Sequence, residues 1–544
     1  MKGLKAVLLL GMAFVLPNQA WTEDRVPDNL GSLPLYQPDF PYGADASVAS
    51  RNSAKTVTSL DEAITLSYWT NPDLLAQRAA LRSTDALYPG ARAAYGPQVT
   101  LQGRQEYARD RFASPLQLRN NQGWSSTATL IFTQPVWSFG RRYANESSAL
   151  AQIALGRNQL RLSEAQTMLA VITDYVSVIR DRAALSIAEE NLGLLERQYT
   201  DSNARFRVRE ITSTDLQQVE TRVAFGRAQV LNARGQLGVS QSRFLQDVGG
   251  IAGPLAEPAP LNLGVASLED AYGIAELNSP LIRAAQAREK ISRAQLEAAR
   301  AESLPDVTTQ ATGSYGTVSP YMNDPRTTEL RASVVVTVPL IDSGVRRAQI
   351  ERARQANDAD WRLIDAALRD SRQAVAGAWD AYRSTLLSLD HYREASEAAQ
   401  RAYNGAVIQE KAGARTTLDV LDLARDLLNV RTNYVTAQAN EYIARANLLA
   451  AMGNLEGPLL VQGISTYNPE DNFRRQEARG DIPLLMPLLS GLDSIGVDNL
   501  KRDRPVRDPA GPLRVKSNVT PIGVQPPIAV TPVLPAPPAT IPIP

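Results

Sequence analysis

The side chains that most often carry chemistry are nearly absent from this chain. Its 544 residues include no cysteine and one histidine, His391. Disulfides, thiolate nucleophiles and the usual zinc sets are thereby removed, and no Ser-His-Asp arrangement has its full complement. No nucleophile, base and metal-ligand set converges at a catalytic spacing, so the sequence predicts no enzyme, no cofactor and no structural metal. His391 lies in a helical run over 389–399, where a surface histidine is the plain expectation. The 57 basic and 57 acidic residues are interspersed along helical stretches, which describes solvated faces and not a nucleic-acid binder. What remains are hydroxyl–carboxylate spacings, Thr212 with Asp215 and Thr416 with Asp419. At such a spacing a hydroxyl can cap free helix amides while a first-turn carboxylate suits the helix dipole.

The elements that position these residues are duplicated. Ser59-Leu60-Asp61-Glu62-Ala63 returns as Ser267-Leu268-Glu269-Asp270-Ala271, and Pro72 and Pro97 return as Pro280 and Pro305, at an offset of 208. Beyond a four-residue deletion, Pro135, Gly140, Tyr199, Asp215 and Gly249 map onto Pro339, Gly344, Tyr403, Asp419 and Gly453 at an offset of 204. The deletion predicts a loop of different length in the two halves. Each half (57–258 and 259–460) reads as a helix (60–95; 268–303), two strands (about 99–112 and 125–136; about 307–317 and 329–340), then a proline-free stretch (136–253; 340–457). Those stretches are long enough for pairs of helices of roughly 65 residues, on the order of 100 Å each.

Heptad registers run through them: Leu155, Leu162, Leu169, Val176 and Ala183 with Leu216, Val223, Val230, Leu237 and Phe244; then Trp361, Leu368, Val375, Tyr382 and Leu389 with Leu421, Leu428, Val435, Tyr442 and Leu449. They predict knobs-into-holes packing and fit an ordinary antiparallel bundle equally well. The strand pairs separate these readings. Leu330, Ala332, Val334, Val336 and Val338 alternate with Arg331 and Ser333, and Ala128, Leu130 and Phe132 with Thr127, Thr129 and Thr133. One apolar face over roughly ten residues matches outer membrane strands, though a small soluble sheet has the same alternation. Four strands cannot close a barrel in lipid, where about eight or more are needed, so the membrane reading requires protomers to share one.

This order, twice over, resembles the TolC-type outer membrane efflux protein family across about residues 57–460. The sharpest local likeness is Ala412-Gly413-Ala414-Arg415-Thr416-Thr417-Leu418-Asp419-Val420-Leu421-Asp422, which is similar to that family's turn at the periplasmic tip of the second helical hairpin; its partner is Ile211-Thr212-Ser213-Thr214-Asp215-Leu216. The resemblance implies a mainly α fold with a transmembrane β-barrel, in a homotrimer with a twelve-strand barrel and a twelve-helix periplasmic tunnel. It further implies a passive exit duct in the outer membrane lipid, working with a periplasmic adaptor and an ATP-driven or proton-driven inner membrane pump. Asp419 and Asp422 match the carboxylates of the family's entrance gate, and Arg415, Asp215 and Thr214 match a latch between neighbouring hairpins. Arg209, Glu210, Gly413 and Ala414 match the adaptor-contact tips. Glu410 stands where the family pattern has a latch tyrosine, Gln438 where it has an arginine, and Arg209 where the second repeat has Gly413. The full latch therefore does not carry over, and Arg209 puts a standard adaptor-contact turn in doubt in the first repeat.

The ends depart from the repeat. Residues 1–20 read as a secretory signal peptide, with Lys2 and Lys5 before an apolar run over 6–16 and Ala20 at the cleavage point. An N-terminal periplasmic segment over 21–56 follows. Residues 461–504 read as packing around the tunnel's outer waist, and 505–544 as a proline-rich tail without a core. The competing reading is a periplasmic coiled-coil adaptor, which accounts for the heptads but not for two hairpins, each with its own strand pair.

Overall fold

The computed structural model describes residues 55–114, 117–461, 463–477 and 491. The predicted signal peptide, most of the N-terminal segment and the proline-rich tail lie outside the described residues. Strand β1 (Thr56–Val57) leads into α1 (Leu60–Thr70), α2 (Pro72–Asp85) and α3 (Leu87–Ala93), then β2 (Gln98–Ser114), β3 (Gln117–Trp137), α4 (Arg141–Arg207), α5 (Ser213–Val248) and β4 (Ile251–Ala252). The second half repeats the order as α6 (Leu268–Asn278), α7 (Pro280–Ala301), β5 (Asp306–Thr317), β6 (Arg326–Thr337), α8 (Val345–Lys411) and α9 (Thr417–Ala451), followed by α10 (Gly457–Leu460) and α11 (Glu470–Glu477).

The helices differ from the sequence expectation in two ways. The single helices expected over 60–95 and 268–303 are broken, because Pro72 and Pro280 cannot donate and start new helices at their first position. Asn71 makes the first break a cap, accepting from the N–H groups of Asp73 and Leu74 at 3.0 and 3.2 Å. Second, only α4 and α8 reach 67 residues, about 100 Å at 1.5 Å per residue. The return helices α5 and α9 have 36 and 35 residues, not roughly 65. Gly249 ends α5 in the left-handed region (φ 77°), and Gly453 (φ 75°) turns the chain beyond α9. Helix α4 therefore packs against α5 over its lower half and against α2 and α7 above; α8 packs likewise against α9 and α7.

Four of the five residues expected in the α9 register, and Val223, Val230, Leu237 and Phe244 in α5, are buried. Two registers fail at single positions. Trp361 is 58% exposed and Leu162 40%, because the buried stripes of α8 and α4 run through Ala367, Ser371 and Val375 and through Leu160, Met168 and Tyr175. The main core lies where the two halves meet at mid-height. Tyr175 and Phe244 are fully buried there beside Met168, Ile172, Leu448 and Met452, and the Tyr175 hydroxyl donates to the Ala256 carbonyl at 2.7 Å. Residues 463–477, the described part of the predicted waist segment, dock on α1–α4: Tyr467 N–H donates to the Tyr68 hydroxyl at 3.1 Å, and Asn472 to Asp85 at 2.7 Å. Arg78 is buried beneath this segment, stacked over the rings of Tyr68, Trp69 and Tyr467.

Apart from the short parallel pair β1–β4, the strands form one antiparallel four-stranded sheet, ordered β2-β3-β5-β6. β2 and β3 are longer than expected, with two residues between them, whereas β5 and β6 keep about the expected length, at 12 residues each, and are joined by the eight-residue loop 318–325. The last strand stops at Thr337 and not at 340, since Pro339 has no N–H for the ladder. In the register Val99↔Phe132, Leu101↔Leu130 and Tyr107↔Trp124, continued through Phe132↔Ala311 and by Val307↔Val336, the apolar side chains of all four strands share one face. Leu101 is 70% and Leu330 84% exposed on that face. The opposite face carries Gln102, Arg104, Thr127, Thr129, Gln310 and Arg331. Within one chain the sheet is open, with β2 and β6 as edges.

Candidate functional site at the helical tips

The two tips are built alike, although their sequences differ at a conformationally demanding position. Gly413 takes φ 72° after α8, and Ala414 N–H returns to the Gln409 carbonyl at 2.9 Å. In the first repeat Arg209 takes φ 62°, and Glu210 N–H returns to the Arg205 carbonyl at the same 2.9 Å. Arginine thus does not abolish the turn; it adopts the left-handed backbone at a cost that glycine avoids. Arg209→Gly is expected to raise thermal stability by about 1 kcal/mol, read from the melting temperature, and an unchanged melt would show that the turn is not strained. Arg209, Glu210, Gly413 and Ala414 are all exposed at these tips.

Each turn ends in a capping box. Thr212 Oγ1 accepts from Asp215 N–H at 3.2 Å while the Asp215 carboxylate accepts from Thr212 N–H and hydroxyl at 3.0 and 2.8 Å. Those hydrogen bonds hold the Asp215 carboxyl below its ordinary pKa. Thr416 and Asp419 repeat the arrangement at 3.2, 3.2 and 2.9 Å. Asp215 and Asp419 are therefore spoken for locally. Among the described residues no ion pair joins Arg415 to Asp215, and Thr214 is exposed.

The contacts that tie one hairpin to the other use residues to which sequence reasoning assigned no such role. Arg222 on α5 reaches Asp422 on α9, Nη2 to Oδ1 at 3.0 Å, with Arg425 3.9 Å away on the other side. Glu410, on α8, is 6% exposed at its side chain; it accepts from Gln198 Nε2 of α4 at 2.9 Å and from Thr417 Oγ1 at 2.8 Å, and faces Arg205 at 3.7 Å. Leu195, Val219, Val223 and Leu421 pack together beside these contacts. Glu410 is thus a link of its own where the family pattern has a tyrosine. The signal was present: position 410 continues the register of Val375, Tyr382 and Leu389 in steps of seven, so a carboxylate falls on a buried seam. Gln438 instead bonds the Tyr434 hydroxyl at 3.1 Å on the exposed side of α9.

Elsewhere the chemistry is sparse. His391 is exposed, 3.8 Å from Glu394. Among the described residues no three His, Cys, Asp or Glu side chains gather as a metal site, and no helix is long and apolar enough to cross a membrane. The tips can thus form hydrogen bonds and ion pairs that make or break between hairpins.

Comparison with known proteins agrees with this architecture. The family model described as outer membrane efflux protein matches twice, over residues 66–250 and 271–454, once per repeat. The outer membrane efflux protein BepC of Brucella suis is 27% identical over 418 residues, covering 76% of this chain and 90% of BepC. Outer membrane protein TolC of Escherichia coli is 23% identical, covering 61% of this chain and 70% of TolC. The CmeC outer membrane channel of Campylobacter jejuni superposes with a TM-score of 0.64 at 12% identity, over 86% of this chain and 98% of CmeC. An adaptor built on a single coiled-coil hairpin has neither the two family matches nor the strand pair in each half, and the chain belongs to the outer membrane efflux protein family, as an outer membrane exit channel.

Proposed function

We propose that three copies of this chain close their open sheets into a twelve-strand barrel, continued by a twelve-helix tunnel that spans the periplasm. The observation that carries this reading is the four-stranded sheet with an apolar face and two unpaired edges. Edges left open in lipid strand a row of backbone N–H and C=O groups, whereas β6 of one copy can pair with β2 of the next. Three sheets reach the range of known barrels, and the threefold number is that of the family resembled. The duct is passive: cargo enters at the tips from a periplasmic adaptor, which meets the exposed turns at Arg209, Glu210, Gly413 and Ala414, and an inner membrane pump supplies the energy.

The tips act as the entrance gate. Around a threefold axis Asp419 and Asp422 give six carboxylates, a ring that favours cations; Arg222 and Arg425 offset part of the Asp422 charge. Arg415 extends toward Thr214 and Asp215 of a neighbouring hairpin, an exposed link of about 0.2–1 kcal/mol suited to opening and closing. Two measurements test the proposal. Outer membrane fractions run unheated on a gel should show a trimer, and a monomer in the soluble periplasm would sink the duct. In planar bilayers, Asp419→Ala with Asp422→Ala should weaken block by polyvalent cations and Arg415→Ala should raise conductance; unchanged block removes the carboxylates from the gate, and unchanged conductance removes Arg415 from the latch.

A further inference from the structure

The loop 318–325 between β5 and β6 does not project from the end of the sheet; it lies back across the first hairpin. Val318 N–H donates to the Pro325 carbonyl at 3.0 Å and Arg326 Nε to the Asn323 carbonyl at 3.2 Å, which close the loop on itself. Three contacts then seat it on β2 and β3. The Tyr321 hydroxyl donates to the Asp110 carboxylate. Ser126 Oγ donates to Asn323 Oδ1 at 3.1 Å. The Tyr321 carbonyl lies so close over Gly123 that a Cβ at that position would overlap it. Gly123 has no side chain because the backbone of a loop nearly two hundred residues further along the chain occupies the place.

Sheet parity says which face the loop covers. The β2–β3 register is unbroken, so Ala108↔Gly123 and Asp110↔Asn121 share the face of Arg104↔Thr127 and Gln102↔Thr129, whereas Ser126, paired with Gln105, falls on the other face and holds Asn323 at the edge of β3 that β5 leaves open beyond Thr127. The face of Gly123 and Asp110 is the polar face, opposite Leu101, Leu130 and the Tyr107–Trp124 ring pair, whose centroids are 5.2 Å apart. Tyr107 and Trp124 stand at the height where the loop is seated, as amphipathic rings do at a membrane boundary.

We propose that this loop is a strap folded over the lumen side of the barrel at its outer mouth, seated on Gly123 and Asp110 and tied at the β3 edge to Ser126, and that it sets the size of solute able to pass there. The inference rests on the proposed barrel, in which the polar face lines the lumen. Three copies of the strap would narrow the mouth from three sides.

The cysteine-free chain allows a clean test. Thr129→Cys places one thiol on the polar face, six residues, or about 20 Å, inward of Gly123. Membrane-impermeant maleimides, one small and one carried on a bulky polymer, are added to intact cells. Two independent changes release the strap: Gly123→Ala, which puts a methyl group in the seat, and Tyr321→Ala with Asn323→Ala, which removes the loop's own anchors. The small reagent is expected to label every chain at one rate, and the bulky one to label both released chains at least about tenfold faster than the parent, the shift expected from losing the seat's hydrogen bonds. Equal bulky rates alongside normal small-reagent labelling would overturn the strap alone. If the small reagent fails to reach Thr129→Cys in protein that runs as an outer membrane trimer, the polar face does not line the lumen, and the barrel reading beneath the strap falls.

Discussion

Glu410→Ala is expected to raise single-channel conductance in planar bilayers more than any other single change at the tips. The Glu410 carboxylate is 6% exposed and accepts from Gln198 and Thr417, with Arg205 close by. Hydrogen bonds to a charged group are worth about 1.5–3 kcal/mol each, and removing the acceptor also leaves the partner groups unpaired. Since each 1.4 kcal/mol is about tenfold in an equilibrium, a gate whose closed state depends on this contact should shift strongly toward open. Glu410→Gln keeps an acceptor for Gln198 and Thr417 but loses the charge facing Arg205, and should fall between. Arg222→Ala removes only the half-exposed pair with Asp422, 31% and 44% exposed at their side chains. Its effect should stay within the factor of a few that about 0.2–1 kcal/mol allows. If Glu410→Ala conducts like the parent, the buried link braces the helices and takes no part in gating.

Glu164→Gln is expected to stabilise the chain at pH 8 and leave it nearly unchanged at pH 4. Glu164 sits on α4 beside the start of α10 and accepts from Gly457 N–H at 2.9 Å. Burial pushes its carboxyl up to about 7, with the neighbouring Glu456 carboxylate adding to the rise, while the Gly457 hydrogen bond, Arg78 and Arg161 oppose it. In the unfolded chain the same group titrates near 4.5. Between these values the folded state holds the proton more tightly, so stability is full below about 4.5 and lost as pH rises through about 7. The whole shift corresponds to at most about 3 kcal/mol, and to about 2 kcal/mol once the side chain's partial exposure is allowed for. Glutamine keeps the acceptor without the charge. Melting temperatures of parent and variant should therefore converge at acid pH and separate above neutrality. Taking the difference isolates Glu164, because Asp174, whose carboxyl is pushed up to about 7 by burial and by Asp247, titrates in both chains. Parallel curves would show that Glu164 ionises as an ordinary surface carboxylate.

Much of the fold was legible because its determinants are local. Ser59 and Ser267 cap helices at equivalent places, Pro72 and Pro280 break them, and the alternation of Leu330, Ala332, Val334 and Val336 against Arg331 and Ser333 sets one face of a strand. The misreadings came from the same local rules applied too far. Freedom from proline permits a helix of 65 residues but does not require one, and Gly249 stops α5 after 36. Trp361 sits at a heptad spacing yet is exposed, since over one helix a register can drift from the face that its neighbours cover.

At the tips the division is sharper. Composition and periodicity alone determined a duplicated chain of two strand pairs and two long helical hairpins, and the Thr-x-x-Asp spacings placed the start of each return helix, because caps, pleats and helical turns are set by hydrogen bonds and rises between residues close in sequence. Only the tertiary structure decided that Asp422 meets Arg222, that Glu410 meets Gln198, and that Tyr321 lies over Gly123. Those partners are about two hundred residues apart in the chain. Whether they touch depends, for the helical pairs, on the axial stagger of one hairpin against the other, which the packing of Leu195, Val219, Val223 and Leu421 sets, and for Tyr321 on the pairing of β3 with β5; no local spacing records either.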